Sequence, residues 1–172
     1  NNSIDHSLDT IKKEFNNINI IHSKINKGYA GGCNLGAKHA KEEYLLFLNN
    51  DTIIDNESII ELIKTIKEDM LIASVQPKIK NYYNKDYFDY AGGSGGYMDY
   101  LVYPYARGRI LNTIEKDIGQ YDIKKKIFWA SGTAFLTKAS IFKEIGGFDE
   151  TLFAHMEEID YHWKCQLNGY KI

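Results

Sequence analysis

The sequence lacks several features that would assign a function directly. Its 172 residues carry 21 Lys and Arg against 23 Asp and Glu, so the net charge is -2 and no general basic field points to nucleic acid. No apolar run approaches the length that spans a membrane, and we expect no signal peptide. Hydrophobic residues make up 44% and charged residues 26%, as in an ordinary globular protein. We therefore expect one domain, residues 1–172, with a substantial core.

Chemical motifs of several enzyme classes are also missing. The two cysteines, Cys33 and Cys165, have no metal-site spacing and fit a reducing compartment, so we expect a cytoplasmic location. None of the five histidines has a zinc spacing. The glycine-rich stretch lacks both the P-loop pattern and the dinucleotide fingerprint, and there is no Gly-x-Ser-x-Gly. Zinc and nucleophilic hydrolase chemistries are not favoured.

Helical periodicity and short β-rich runs alternate along the first half of the chain. The pattern predicts helices over 7–16 and 56–70, strands over 18–23, 44–48 and 71–79, and a glycine-rich loop over 26–36 that leads into a short helix. This alternation predicts an α/β fold with a mostly parallel sheet, which binds ligands at the carboxyl ends of its strands.

The second half begins with a less regular region. Residues 81–126 are rich in Tyr and Gly and predict an excursion of short strands and loops. A strand over 127–138 and a short helix closed by Gly146 and Gly147 follow. A last helix is predicted over 155–169, with three residues facing inward: Met156, Ile159 and Trp163.

Three polar stretches are candidates for chemistry, and each has a simpler explanation. Asn49-Asn50-Asp51-Thr52, at a strand end, suits a divalent cation, although a turn with Asn56 as a helix cap explains it as well. The glycine-rich stretch favours a phosphate, or it is an irregular loop. In Glu157-Glu158-Ile159-Asp160, the carboxylates favour the helix dipole and Asp160 suits a pair with Lys164. The alternative is a general base.

The order of these motifs resembles the family 2 glycosyltransferases, especially the rhamnosyltransferase-like members that build bacterial surface polysaccharides. "NKGYAGGCNLGAKHA" looks like the family's glycine-rich loop, and "LLFLNNDT" looks like its Leu-Asn-Pro-Asp-Thr version of the metal-binding motif. "WASGTAFLTKASIFKEIGGFDE" and "EEIDYHWK" follow in the family's order, the latter resembling Glu-Asp-Val-Asp-Leu-x-x-Arg.

This resemblance implies a GT-A-like, three-layer sandwich. It also implies inverting transfer of a sugar from a nucleotide-diphosphate sugar to a hydroxyl of a saccharide or lipid-linked saccharide, with possible peripheral membrane association at the inner face. Asp51 would hold Mg²⁺ or Mn²⁺. Glu158 would be the general base, with Glu157 and Asp160 as alternatives. Asn26, Gly28, Gly31, Gly32, Asn34, Asn49 and Asn50 would bind the nucleotide-sugar, and Trp129, Ser131 and Gly132 would line the sugar or acceptor pocket.

The sequence departs from the family pattern at several points. Glu158 replaces the usual Asp, and Lys164 stands where Arg is common. The first βα unit and the C-terminal end of the family pattern are missing, so we expect a fragment truncated at both ends. Two other classes remain open: a sugar nucleotidyltransferase on a similar sheet, and a non-catalytic carbohydrate-binding module that uses the Tyr-rich region 82–105.

Overall fold

The computed structural model describes all residues, 1–172. It contains five α-helices, one 3-10 helix and seven β-strands. The helices are α1 (Ser7–Glu14), α2 (Gly28–His39), α3 (Asn56–Ile66), α4 (Ala139–Ile145) and α5 (Glu157–Leu167), with the 3-10 turn at Glu150–Leu152. The strands are β1 (Tyr44–Leu48), β2 (Ser74–Val75), β3 (Gly96–Met98), β4 (Pro104–Ala106), β5 (Arg109–Ile110), β6 (Thr113–Ile114) and β7 (Ala134–Lys138). No helix is both long and apolar enough to cross a membrane.

The central sheet has three strands in the order β1-β7-β2, and both of its ladders are antiparallel. The mostly parallel sheet that we expected is therefore not observed. β1 and β2 run in the same direction, as the helix-strand alternation predicts, but β7 arrives from later in the chain and lies between them in the opposite direction. The one parallel pairing is the isolated bridge between Ile72 and Lys171. Residues 18–23, predicted as a strand, belong to no strand.

Both faces of the sheet are covered. On one face, Leu62 and Ile66 of α3 pack with Val75 and Leu136. On the other, α2, α4 and α5 enclose an aromatic cluster of Phe47, Phe135, Phe142, Phe148 and Tyr161. This helix-sheet-helix layering explains why four consecutive residues of β7, 134–137, are buried.

The glycine-rich stretch is helical rather than a loop from its third residue onward. α2 starts at Gly28, whose N–H has no hydrogen-bond partner within the helix. It donates instead to the side-chain oxygen of Asn26 at 2.9 Å. The Ala30 N–H donates to the carbonyl of Phe153 at 3.2 Å. Contacts from outside the helix thus support a start that glycine's low helix propensity disfavours. The sequence pattern showed the glycines but not these distant partners.

The other helix boundaries agree with the sequence to within a few residues, but two strands are shorter than predicted: the one expected over 127–138 forms only at Ala134–Lys138, and the one expected over 71–79 only at Ser74–Val75. β1 is confirmed at Tyr44–Leu48, and the cap of α3 is Asp55 rather than Asn56, because the Asp55 carboxylate accepts the Ser58 N–H at 2.6 Å. α4 ends at Gly146 in the left-handed conformation, as expected. The predicted excursion forms two hairpins, β3–β4 and β5–β6.

The inward face of α5 differs from the prediction. Ile159 is buried, but Met156 and Trp163 are 46% and 37% exposed. The buried positions include Tyr161, His162 and Cys165. The rings of Tyr161 and His162, rather than that of Trp163, pack against Phe135 of the aromatic cluster.

Candidate active site

The candidate site begins where β1 ends beside the start of β7. The Asn49 N–H donates to the Thr133 carbonyl at 2.9 Å, and the Thr52 N–H donates to the Asn49 carbonyl at 3.2 Å. Residues 49–52 therefore do form a turn. The turn leaves Asp51 exposed, with no hydrogen bond or ion pair from the protein to its carboxylate. The turn and the proposed ligand role are compatible, since the turn presents a free carboxylate.

The segment that precedes β7, residues 129–132, is held by side chains from separate elements. The Ala130 N–H donates to Nδ1 of His162 on α5 at 3.3 Å. The Ser131 N–H donates to Oε1 of Gln76, just after β2, at 2.6 Å. These two bonds join the 129–132 segment to both the last helix and the edge of the sheet.

A third side chain holds the end of the same segment. The Tyr29 hydroxyl of α2 donates to the Gly132 carbonyl at 2.7 Å. Burial, above all, raises the pKa of Tyr29, and the nearby Cys33 thiol and the charges of Glu157 and Glu158 raise it further. Tyr29 thus bonds the 129–132 segment and lies within electrostatic range of the acidic start of α5.

Two of the predicted pocket residues are buried inside the protein. Trp129 is 7% exposed, and its Nε1–H donates to the Tyr97 carbonyl at 3.0 Å. Its ring lies against Gly96, where an added Cβ would come within 1.8 Å of the indole. Ser131 is 3% exposed and donates its hydroxyl to Ala91. Neither side chain is therefore open to a ligand, and their predicted place in a sugar or acceptor pocket stays a prediction.

The chain enters α5 through a strained backbone. Phe153, His155 and Met156 have φ values of 56°, 72° and 72°, which non-glycine residues rarely adopt. Gly28 packs directly against this turn: a Cβ at position 28 would lie only 2.1 Å from the Phe153 carbonyl oxygen. The close approach of α2 requires glycine at position 28. Strain of this kind is often concentrated at functional sites.

The acidic pair at the start of α5 is largely withdrawn from water. Glu157 is 4% exposed, and the Oε2 atoms of Glu157 and Glu158 are buried with no hydrogen-bond partner. Burial raises the pKa of Glu158 to about 7, and the charge of Glu157 adds to this effect. Burial likewise raises the pKa of Glu157. A carboxylate with such a pKa suits proton transfer near neutral pH.

Asp160, the third acidic candidate, is differently placed. Its carboxylate accepts a hydrogen bond from Lys164 at 2.7 Å, in the i,i+4 pairing that the sequence indicated. This ion pair occupies the carboxylate. Glu158 is therefore the best-suited of the three as a base, while the roles of all three remain predictions.

The predicted nucleotide-binding residues mostly contact other parts of the protein. Asn34 exchanges two hydrogen bonds with the backbone of Phe148, at 2.8 and 2.9 Å. Asn26 accepts hydrogen bonds from Gly28 and from the side chain of Asn1. Gly31 and Gly32 approach the side chains of Lys27 and Asn1. Asn49 lies in the turn described above, and Asn50 is exposed beside Asp51. Asn49 and Asn50 are the predicted nucleotide-binding asparagines whose side chains make no hydrogen bond to the protein.

The residues at the strand end fit a divalent cation that is shared with a substrate. No group of three or more His, Cys, Asp or Glu side chains is arranged to hold a metal ion. Mg²⁺ is usually held by one or two carboxylates together with water and substrate phosphates. The free carboxylate of Asp51 meets that requirement, so a diphosphate would supply the remaining ligands.

Three residues of the site had little or no signal in the sequence. Tyr29 is one of 13 tyrosines, and Gln76 follows a strand without any motif. His162 offered one signal, since it lies four residues after Glu158 on the same helical face. A cavity of about 730 Å³ between α3 and residues 121–127 contains none of the predicted site residues.

Comparison with known proteins defines the class. Residues 1–146 match the family described as Glycosyl transferase family 2, so the chain belongs to that family and has its GT-A fold. The match includes Asp51 and the 129–132 segment and ends before α5.

Relatives extend the similarity further along the chain. The poly-beta-1,6-N-acetyl-D-glucosamine synthase of Staphylococcus aureus (strain COL) is 26% identical over 162 residues, which is 93% of this chain and 35% of the relative. The enzyme of the same name from Staphylococcus epidermidis is 25% identical over the same extent. The chain thus spans about a third of the length of these relatives. They lend no support to the rhamnosyltransferase-like subtype, which stays a prediction.

Proposed function

We propose that the protein is an inverting glycosyltransferase that moves a sugar from a nucleotide-diphosphate sugar to an acceptor hydroxyl. The observation that carries the proposal is the Glu158 carboxylate, whose Oε2 atom is buried without a hydrogen-bond partner and whose pKa is raised to about 7 by burial. Family membership supports the reaction type, and the site residues support the roles given below.

In this proposal Glu158 accepts the proton of the acceptor hydroxyl. The acceptor oxygen then forms a bond to the anomeric carbon while the bond from that carbon to the diphosphate oxygen breaks. The leaving nucleoside diphosphate takes the electron pair of the broken bond. A single displacement inverts the anomeric configuration and needs no protein nucleophile. Removing the proton with a positioned base contributes about 10²–10⁴-fold in rate.

Asp51 serves the leaving group in the same proposal. It would hold Mg²⁺ or Mn²⁺, which supplies positive charge to the diphosphate oxygens. Asn49 and Asn50 flank it in the turn and offer amide groups rather than further carboxylates. The protein would therefore bind the metal weakly alone and more tightly together with the donor.

We propose a role in bacterial polysaccharide synthesis, at the inner face of the membrane, with a saccharide or lipid-linked saccharide as acceptor. The relatives are named as synthases of a polymer of N-acetyl-D-glucosamine. Nucleotide-activated N-acetylglucosamine is accordingly the first donor to test.

The experiment uses the full-length protein with this donor, Mn²⁺ and a β-1,6-linked glucosamine oligosaccharide. Release of nucleoside diphosphate together with an extended oligosaccharide supports the proposal, and proton NMR of the product reports whether the linkage is inverted. Pyrophosphate release from a nucleoside triphosphate and a sugar phosphate would instead indicate a nucleotidyltransferase. Saccharide binding without either reaction would indicate a non-catalytic module.

A further inference from the structure

His162 is a buried titratable side chain that the proposed reaction does not use. It is fully buried on α5, edge-on to Phe135 with ring centroids 5.0 Å apart and beside Tyr161 at the same distance. Burying an imidazole among aromatic rings costs free energy unless its ring nitrogens are hydrogen-bonded.

One ring nitrogen has a defined partner. Nδ1 lies 3.3 Å from the Ala130 backbone nitrogen, and an N–H can only donate. Nδ1 must therefore be the unprotonated acceptor, and the ring proton resides on Nε2, which has no partner. Burial lowers the pKa of His162 to about 3, which agrees with a neutral imidazole.

The hydrogen bond connects two parts of the site. Ala130 lies in the 129–132 segment, and His162 lies one helical turn after Glu158 on the same face of α5. No other side chain of α5 accepts a backbone N–H from that segment, although Gln166 donates to the Phe128 carbonyl at 2.8 Å. A shift of α5 away from the segment would leave both the Ala130 N–H and Nδ1 buried without partners.

We propose that His162 is a positioning residue that holds the 129–132 segment against the helix carrying Glu158. This inference rests on the proposed function for its effect on catalysis, but the hydrogen bond itself is independent of that function. His162 neither contacts substrate nor exchanges a proton in this role. It fixes the position of the proposed general base, Glu158, relative to the 129–132 segment.

The matched variants differ in where they place an acceptor. In His162→Asn, the side-chain oxygen takes the place of Nδ1, whereas in His162→Gln an oxygen falls near the position of Nε2. His162→Leu removes the acceptor while filling the site. If the Nδ1 bond positions the segment, Asn retains function and both Gln and Leu lose it. If His162 only fills space, the three variants rank by packing, with Leu least affected.

Two measurements on the full-length protein test the proposal. In nitrogen-15 NMR, the wild type should show a neutral imidazole protonated at Nε2, and hydrogen exchange of the Ala130 amide should be slow in wild type and Asn. The same amide should exchange roughly 10-fold faster in Leu and Gln, the effect of losing one hydrogen bond. A wild-type imidazole protonated at Nδ1, or equal Ala130 protection in Asn and Leu, would overturn the proposal.

Kinetics then separate this inference from the proposed function. For sugar transfer, we expect kcat/KM for the acceptor to fall by about 10-fold in His162→Leu and His162→Gln. Donor affinity should be unchanged in both variants, and His162→Asn should remain near wild type. A wild type without transferase activity contradicts the proposed function and leaves the NMR result to decide the positioning role. An active wild type whose Leu variant matches it contradicts the positioning role alone.

Discussion

The hydroxyl of Tyr29 donates a hydrogen bond of 2.7 Å to the carbonyl of Gly132, and this contact joins the start of α2 to the segment that precedes β7. The two residues are 103 positions apart in the chain. Tyr29 also lies within electrostatic range of Glu157 and Glu158 at the start of α5.

Replacing Tyr29 with Phe removes this hydrogen bond and keeps the ring that packs near Phe148. The Gly132 carbonyl then loses its donor, and we expect the free energy of unfolding to fall by about 1–2 kcal/mol. Urea denaturation of the two proteins measures the change. Tyr44→Phe is the matched control, since that hydroxyl contacts only the exposed Glu43 side chain and its loss should change stability little. Equal stability of Tyr29→Phe and wild type would show that the contact is unimportant.

Replacing each of two glycines of α2 with alanine should change the free energy of unfolding in opposite directions. Gly28 has φ of 68° and faces the Phe153 carbonyl, so Gly28→Ala introduces both strain and a clash. We expect it to cost at least about 2 kcal/mol of unfolding free energy. Gly36 has open space around it, so Gly36→Ala should stabilise the helix by about 0.5–1 kcal/mol. Thermal unfolding distinguishes them, and a stable Gly28→Ala protein would contradict the packing described for the α5 entry turn.

The carboxyl of Glu158 should make stability depend on pH. Its pKa is about 7 in the folded protein against an ordinary 4.5, so the folded state binds more protons between these values. The stability associated with the protonated form is present below pH 4.5 and is lost as the pH rises through 7. Glu158→Gln should therefore be more stable than wild type at pH 8, by about 1–3 kcal/mol, with little difference at pH 4. Urea unfolding at both pH values measures this, and a pH-independent difference would contradict the raised pKa.

Asp51 should control the effect of metal on donor binding. With Asp51→Asn, we expect the increase in nucleoside-diphosphate affinity caused by Mn²⁺ to fall by about 10-fold or more, because a neutral amide is a weaker ligand for a hard cation. Isothermal titration with and without Mn²⁺ measures this. Asp86→Asn changes charge equally at an exposed ion pair with Lys116 and should leave binding unchanged. An unchanged metal effect in Asp51→Asn would remove Asp51 from the proposed site.

The sequence indicated elements whose signals are local. The strand Tyr44–Leu48, the glycine stop of α4 and the Asp160–Lys164 pair depend on residues close in the chain, and the structure has all three. Family membership also followed from the order of the motifs.

Features that depend on distant contacts were not predictable in the same way. The antiparallel placement of β7 between β1 and β2 arises from where a late strand docks. The glycine-rich stretch is helical because Asn26 and Phe153 satisfy its first amides. Trp129 is covered because Gly96, more than 30 residues earlier, lets the backbone lie on its ring. No local pattern specifies such partners.

The central claim is that Glu158 is the base of a glycosyl transfer. The most direct test is the rate of transfer from the nucleotide-sugar by wild type and Glu158→Gln, with donor affinity measured in parallel. We predict an acid limb in the wild-type pH profile near pH 7, as its raised pKa requires. We also predict a loss of about 10²–10⁴-fold in the Gln variant with donor affinity within about 3-fold of wild type. Transfer by the Gln variant at a rate close to that of wild type would contradict the account.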